Sequence, residues 1–251
     1  MTQGLDRDEE GRLRQEVVEV CRLMYGRNLI AASDGNVSAR WGECYLITTP
    51  TGLYKGFLRP EDLVVTDLDG RLAPEGVAPL NGHRPSAELR LHLEVYRQRP
   101  DVRAVVHAHP PITTALTVAG VSLAPCVLPE TLVTLGTIIT TAYATPTSAQ
   151  GPEVIRPYIG DHDALVLDRH GAVTVGESVF SAYARMEKVE NTAEVILAAR
   201  QAGGVKTLPV DEVRRLSAMR DAALRPRRSF TGPDCHLCGA CEGLGTTRGS
   251  S

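Results

Sequence analysis

The sequence predicts an α/β fold, and three stretches carry the prediction. Residues 102–106 are β-branched and apolar, lie between the Pro100-Asp101 turn and Pro110, and read as a buried strand. Ala164–Leu167 and residues 172–175 are short apolar runs joined by Asp168-Arg169-His170-Gly171, the pattern of a hairpin. Residues 177–201 place Ala182, Met186, Val189, Ala193, Ile196 and Leu197 on one helical stripe that Gly203-Gly204 ends. At 251 residues, with 43% apolar and 23% charged, the chain can build a single globular α/β unit.

The remaining elements follow in order. Residues 12–25 carry Leu13, Val17, Val20, Cys21 and Met24 at helical spacing, with Gly26 as the expected cap. Ser33-Asp34-Gly35-Asn36-Val37-Ser38 then leads into strands at 37–41 and 44–48. Such a loop is either a plain turn or a set of backbone amides and hydroxyls offered to an anion, and Thr49-Pro50-Thr51-Gly52 repeats the chemistry. A strand at 63–66, the turn Asp67-Leu68-Asp69-Gly70 and a loop over 71–84 come next. Residues 86–97 read as a helix capped by Ser86, although 89–95 also alternates as a strand would. Glu88 then falls in the first turn, where a carboxylate is favourable for the helix dipole alone. One turn later, His92 either packs or shares a metal with Glu88. A helix over 111–119, a carboxylate at Glu130 in an apolar run, a strand at 138–141, a loop over 143–151, a short helix over 152–159 and a helix over 211–224 complete the reading. Beyond Pro226 the composition turns to Arg, Gly, Ser, Thr and Cys, so the chain divides into a domain over 1–225 and a tail over 226–251.

A net charge of −3 leaves no basic footprint for nucleic acid. No apolar run approaches the roughly 20 residues of a membrane span, and the first residues are polar, so a cytoplasmic location is expected. Cys21, Cys44 and Cys126 are then reduced thiols that pack as small apolar groups.

The chemistry centres on Val105-Val106-His107-Ala108-His109-Pro110. Two residues apart on a strand, His107 and His109 point to one face, and Pro110 places them at the strand's carboxyl end. They are either packed histidines or a chelating pair. His170, at the hairpin tip, supplies a third imidazole, and three imidazoles suit zinc while leaving a coordination position open for catalysis. With an anion pocket and a carboxylate beside it, such a Lewis acid suits carbon–carbon cleavage next to a ketose carbonyl: the metal stabilises the enediolate and the carboxylate moves the proton.

Gly35-Asn36-Val37-Ser38, Thr51-Gly52, Pro85-Ser86-Ala87-Glu88, His107-Ala108-His109, Tyr143-Ala144-Thr145 and His170-Gly171, in that order, resemble the motifs of the class II aldolase/adducin family over residues 12–205. The resemblance implies a three-layer αβα fold around a mixed, largely antiparallel sheet. It also implies zinc on His107, His109 and His170, with Glu88 as acid/base near or on the metal. Asn36, Ser38, Thr51, Gly52 and Ser86 would hold a substrate phosphate, and a cyclic homotetramer would share its sites between chains. The implied reaction is cleavage of a ketose 1-phosphate to dihydroxyacetone phosphate and an aldehyde. The alternatives are a pentulose-phosphate 4-epimerase, whose pattern has Asp at the place of Glu88, and a non-catalytic adducin-like interaction module, which does not require the three histidines. Ala87 departs from the family's Ser-Ser-Glu and removes one phosphate hydroxyl. Glu130 is the polar candidate where the family has a tyrosine from a neighbouring chain.

Cys235-His236-Leu237-Cys238-Gly239-Ala240-Cys241 has no counterpart in these motifs. Cys235, Cys238 and Cys241 are spaced as ligands of a second metal or an iron–sulfur cluster, with His236 or another chain completing the set; the alternative is a disordered tail.

Overall fold

Seven strands make one sheet in the computed structural model, which describes residues 5–78 and 81–223. They are β1 (Asn36–Trp41), β2 (Tyr45–Thr48), β3 (Val64–Asp67), β4 (Ala104–Ala108), β5 (Ile139–Thr141), β6 (Ala164–Leu167) and β7 (Gly171–Gly176). Their spatial order is β3-β2-β1-β4-β7-β6-β5. All neighbours run antiparallel except β5 and β6, so the sheet is mixed and largely antiparallel, as expected.

The helices are α1 (Arg7–Gly26), α2 (Leu89–Gln98), α3 (Pro111–Val118), α4 (Pro129–Thr134), α5 (Gln150–Ile155), α6 (Val179–Gln201) and α7 (Val210–Ala223). Strand residues alternate between two cores because successive side chains point to opposite faces. Val37, Ala39, Trp41, Ala104, Val106 and Ala172 pack with buried residues of α1 and α6. Leu46, Val105, Leu165, Val173 and Val175 pack on the other face with residues of α2 and α5. Helices on both faces give the three-layer αβα arrangement. Every residue of β4 is buried, which explains why its sequence reads as an apolar run rather than an alternation.

Several boundaries differ from those the sequence suggested. α1 begins at Arg7, not residue 12, because the Asp6 side chain caps it by accepting from the amides of Asp8 (2.9 Å) and Glu9 (3.2 Å). Gly26 is its last helical residue, and the chain leaves through Asn28 at φ +58°. α2 begins at Leu89 rather than Ser86. The backbone before it is taken by cross-bridges instead: Ser86 N donates to Thr49 O (3.1 Å), Thr51 N donates to Arg84 O (3.0 Å), and Pro50 pairs with Pro85. Glu88 therefore occupies the N-cap position of α2 instead of its first turn. The short α4, with Pro129 in its first turn, was not foreseen.

α3, which starts directly after His109-Pro110, has no cap of its own. The carboxyl group of buried Glu190 on α6 supplies one, accepting from Ile112 N (2.8 Å), Thr113 N (2.8 Å) and Thr113 Oγ1 (2.7 Å). Glu190→Ala strands these buried donors and is expected to cost about 2–4 kcal/mol in denaturant unfolding. A loss below about 1 kcal/mol would show that the clamp is unimportant.

Candidate active site

His107 is fully buried in β4, and both of its ring nitrogens have assigned work. Nδ1 donates to Ala172 O on β7 (2.9 Å), which leaves the Nε2 lone pair free to face outward. His107 Nε2 lies 3.1 Å from His109 Nε2 and 3.2 Å from Glu88 Oε2. His170, in the β6–β7 turn, brings its Nε2 to 3.2 Å from Glu88 Oε1. Among the described residues, Glu88, His107, His109 and His170 form the group that could hold a metal, each offering a ligand atom within 4.8 Å of the others. Two ligands of a tetrahedral zinc, each about 2.1 Å from it, sit roughly 3.4 Å apart, so these separations suit one divalent ion.

Backbone geometry explains how the imidazoles meet. His109 N donates to Leu29 O (3.0 Å), tying the end of β4 to the segment after α1. Gly171 passes so close to Ala108 O that a Cβ could not be accommodated. Gly35, at φ +67°, would place a Cβ 2.8 Å from His107 O. Gly35 and Gly171 thus allow backbone to close on the histidine strand.

Glu88 is largely enclosed. Burial alone would raise its carboxyl pKa, but hydrogen bonds and charge from His107 and His170 outweigh this and hold it well below the usual carboxylate range. Burial, with His107 and His170 adding to it, lowers His109 to about 3. Its Nδ1 faces Asp34 Oδ2 at 3.8 Å.

Ser38 is placed differently from expectation. It has no exposed surface, and its hydroxyl is held by His92 Nδ1 (2.7 Å) and Tyr96 OH (2.9 Å), so it supports α2 from β1 instead of facing an anion. His92 is likewise a buried packing residue and not among the candidate ligands. Burial, reinforced by His107, lowers its pKa to about 3. The unfolded chain protonates His92 near 6.5 and the folded protein only near 3, so the unfolded state binds more protons in between. His92 therefore contributes stability that is complete above about pH 7 and lost as pH falls toward 4, at up to about 1.4 kcal/mol per pH unit. The stability gap between the natural protein and His92→Gln is expected to narrow from pH 7 to 4.5 in denaturant titrations; a constant gap would contradict this.

The segments carrying Asn36, Thr51-Gly52 and Ser86 are joined. Val37 N donates to Thr49 Oγ1 (3.2 Å) and Thr49 N to Val37 O (3.0 Å), joining the Asn36 loop to the Thr51-Gly52 turn, which the cross-bridges join to Ser86. Asn36 is buried, and its Oδ1 has no hydrogen-bond partner among the described residues. Thr51 and Gly52 are exposed, and Ser86 is half-buried. Glu130 stands exposed at the start of α4, away from the cluster of Glu88 and the histidines within this chain. Beside Glu88 and His170 opens a shallow cleft walled mainly by apolar groups, including Ala87, Leu91, Ala144, Pro146, Val154 and Leu167. Sequence reading gave the 142–154 wall no role beyond the motif Tyr143-Ala144-Thr145, and it missed Lys55, a single charge in the apolar run Leu53-Tyr54-Lys55-Gly56-Phe57-Leu58. Cys235, His236, Cys238 and Cys241 lie outside the described residues.

This fold and site define a class. Residues 15–197 match the class II aldolase and adducin N-terminal domain, and the chain belongs to that family. It is 34% identical to an L-fuculose phosphate aldolase of Methanococcus maripaludis over 180 residues, 72% of this chain and 93% of the relative. It is 36% identical to a methylthioribulose-1-phosphate dehydratase of Methylococcus capsulatus over 186 residues, 70% of this chain and 88% of the relative. Among solved structures, YgbL of Escherichia coli, described as of aldolase/epimerase/decarboxylase type, superposes with a TM-score of 0.74 at 29% identity, covering 82% of this chain and 98% of YgbL. The chain is thus a lyase-type member of the class II aldolase superfamily. Among the described residues, no helix is long and apolar enough to cross a membrane.

Proposed function

We propose that the protein is a zinc-dependent aldolase that reversibly cleaves a ketose 1-phosphate, of the fuculose, ribulose or deoxy- or methylthio-pentulose type, to dihydroxyacetone phosphate and an aldehyde. The observation that carries this reading is the convergence of Glu88 with the Nε2 atoms of His107, His109 and His170 beside three tied loops. A divalent ion held by the histidines would supply a Lewis acid that draws charge from the substrate carbonyl as the bond breaks.

Glu88 delivers the proton to the carbon that the broken bond vacates and removes it in the synthetic direction. Asn36, Thr51, Gly52 and Ser86 hold the phosphate, with the buried Asn36 amide completing its hydrogen bonding there. Ala87 leaves out one hydroxyl, a loss of about 1.5–3 kcal/mol that the loop amides offset. The apolar cleft takes the end of the substrate that leaves as the aldehyde. Glu130 serves a neighbouring chain's site in a cytoplasmic homotetramer. A soft metal or iron–sulfur cluster held by Cys235, Cys238 and Cys241 would be ancillary, since aldol cleavage transfers no electron.

The apolar cleft wall and the relation to a methylthioribulose-1-phosphate dehydratase favour a second reading, loss of water from a ketose 1-phosphate that keeps its carbon chain. A panel of ketose 1-phosphates tests both. Release of dihydroxyacetone phosphate from one of them is expected. A dehydrated product with no cleavage would move the assignment to the dehydratase reading, and an isomerised ketose would move it to the epimerase.

A further inference from the structure

Lysine occurs three times in this chain, as Lys55, Lys188 and Lys206, against 24 arginines. Of these, Lys55 is buried, with 2% of its surface exposed, at the start of the short 3₁₀ turn Lys55–Phe57. Its Nζ donates to Ser33 O (2.9 Å) and Leu53 O (2.9 Å), and its amide donates to Ala32 O (3.2 Å). Ser33 opens the loop that carries Asn36, and Leu53 directly follows Thr51-Gly52. One ammonium group therefore bridges the loop that leads to Asn36 and the turn that carries Thr51-Gly52.

A point charge with rotatable donors suits this bridge better than the planar guanidinium used elsewhere in the chain. Such a buried cation is costly when its direct partners are neutral carbonyl dipoles. The Cys21 thiol offers no counter-charge, because burial pushes its pKa up to about 12 and keeps it protonated. Asp34 acts on Lys55 electrostatically, but its side chain is half exposed and also faces His109. Burial pulls the lysine's own pKa down, and the charge of Asp34 offsets it only in part. A phosphate dianion at the adjoining loops would balance the charge that the chain itself leaves under-compensated.

We propose that Lys55 is the positioning residue of the anion subsite, its ammonium fixing the spacing of the Asn36 and Thr51-Gly52 loops and biasing that spacing toward a phosphate dianion. The proposal rests on the reading that these loops hold the substrate's phosphate.

Calorimetric titration of the full-length protein with inorganic phosphate tests it. In Lys55→Met, the phosphate Kd is expected to weaken by about tenfold to a hundredfold. The KM for the ketose 1-phosphate should rise in parallel while kcat stays within about threefold and bound zinc is unchanged. In the unsubstituted protein, the side-chain ¹⁵N signal of Lys55, readily told from two others, should shift on adding phosphate. A folded Lys55→Met protein that binds phosphate within about twofold of the original overturns the proposal and leaves the phosphate subsite standing. If that variant does not fold, an unmoved Lys55 signal in the phosphate-saturated original protein overturns it instead. An original protein that takes up no phosphate removes the subsite and the proposal together.

Discussion

Glu88→Gln is expected to lower turnover by about 10²–10⁴-fold while the protein stays folded and keeps its metal. The substitution preserves the shape of the side chain at the N-cap of α2 and its reach to His107 and His170, both 3.2 Å away, but removes the basic oxygen. The size follows from what Glu88 is asked to do. Its carboxylate is largely enclosed and stands beside the imidazoles that would hold the metal, within reach of a substrate bound there. The loss should fall on kcat more than on KM, because the proton is in flight only in the transition state. Steady-state kinetics on the metal-loaded variant give the answer, and turnover within about fivefold of the original would remove Glu88 from the chemistry.

His107→Ala should abolish stoichiometric metal and bring turnover down by about 10³-fold or more, since it deletes the central ligand along with its orienting bond to Ala172 O. Of the three imidazoles, His107 is the one with no exposed surface, and it touches both His109 and Glu88. Elemental analysis after dialysis should find metal reduced to a small fraction of one ion per chain. Full metal content in the folded variant would mean that the ion sits elsewhere. The two variants separate two roles: Glu88→Gln retains metal and loses chemistry, whereas His107→Ala loses both.

Much of this site was legible from residue order. The two-residue period of a strand suggested that His107 and His109 share a face, and they do converge, although β4 ends at Ala108 and His109 stands just beyond it. The hairpin of β6 and β7 placed His170 at a tip, whereas the Asn36 and Ser38 side chains that suggested an open anion loop are buried. These are local inferences, and they hold because backbone sterics and hydrogen-bond periodicity act over a few residues.

The tertiary structure decided what meets what. Strand order β1-β4-β7 brings His170 to His107 across 63 residues of chain, and the cross-bridges to Thr49 and Thr51 delay α2 until Glu88 stands at its head rather than inside it. Ser38 shows the limit of motif reading: it shares the face of Asn36 on β1, but two residues further along the strand it lies beneath α2, where His92 and Tyr96 take its hydroxyl. Glu190 and Lys55 were invisible for the same reason. A charged residue in a sequence reads as surface, and only the packing of α6 on α3, or of two loops on one ammonium group, shows that its burial is balanced by the donors or acceptors it gathers.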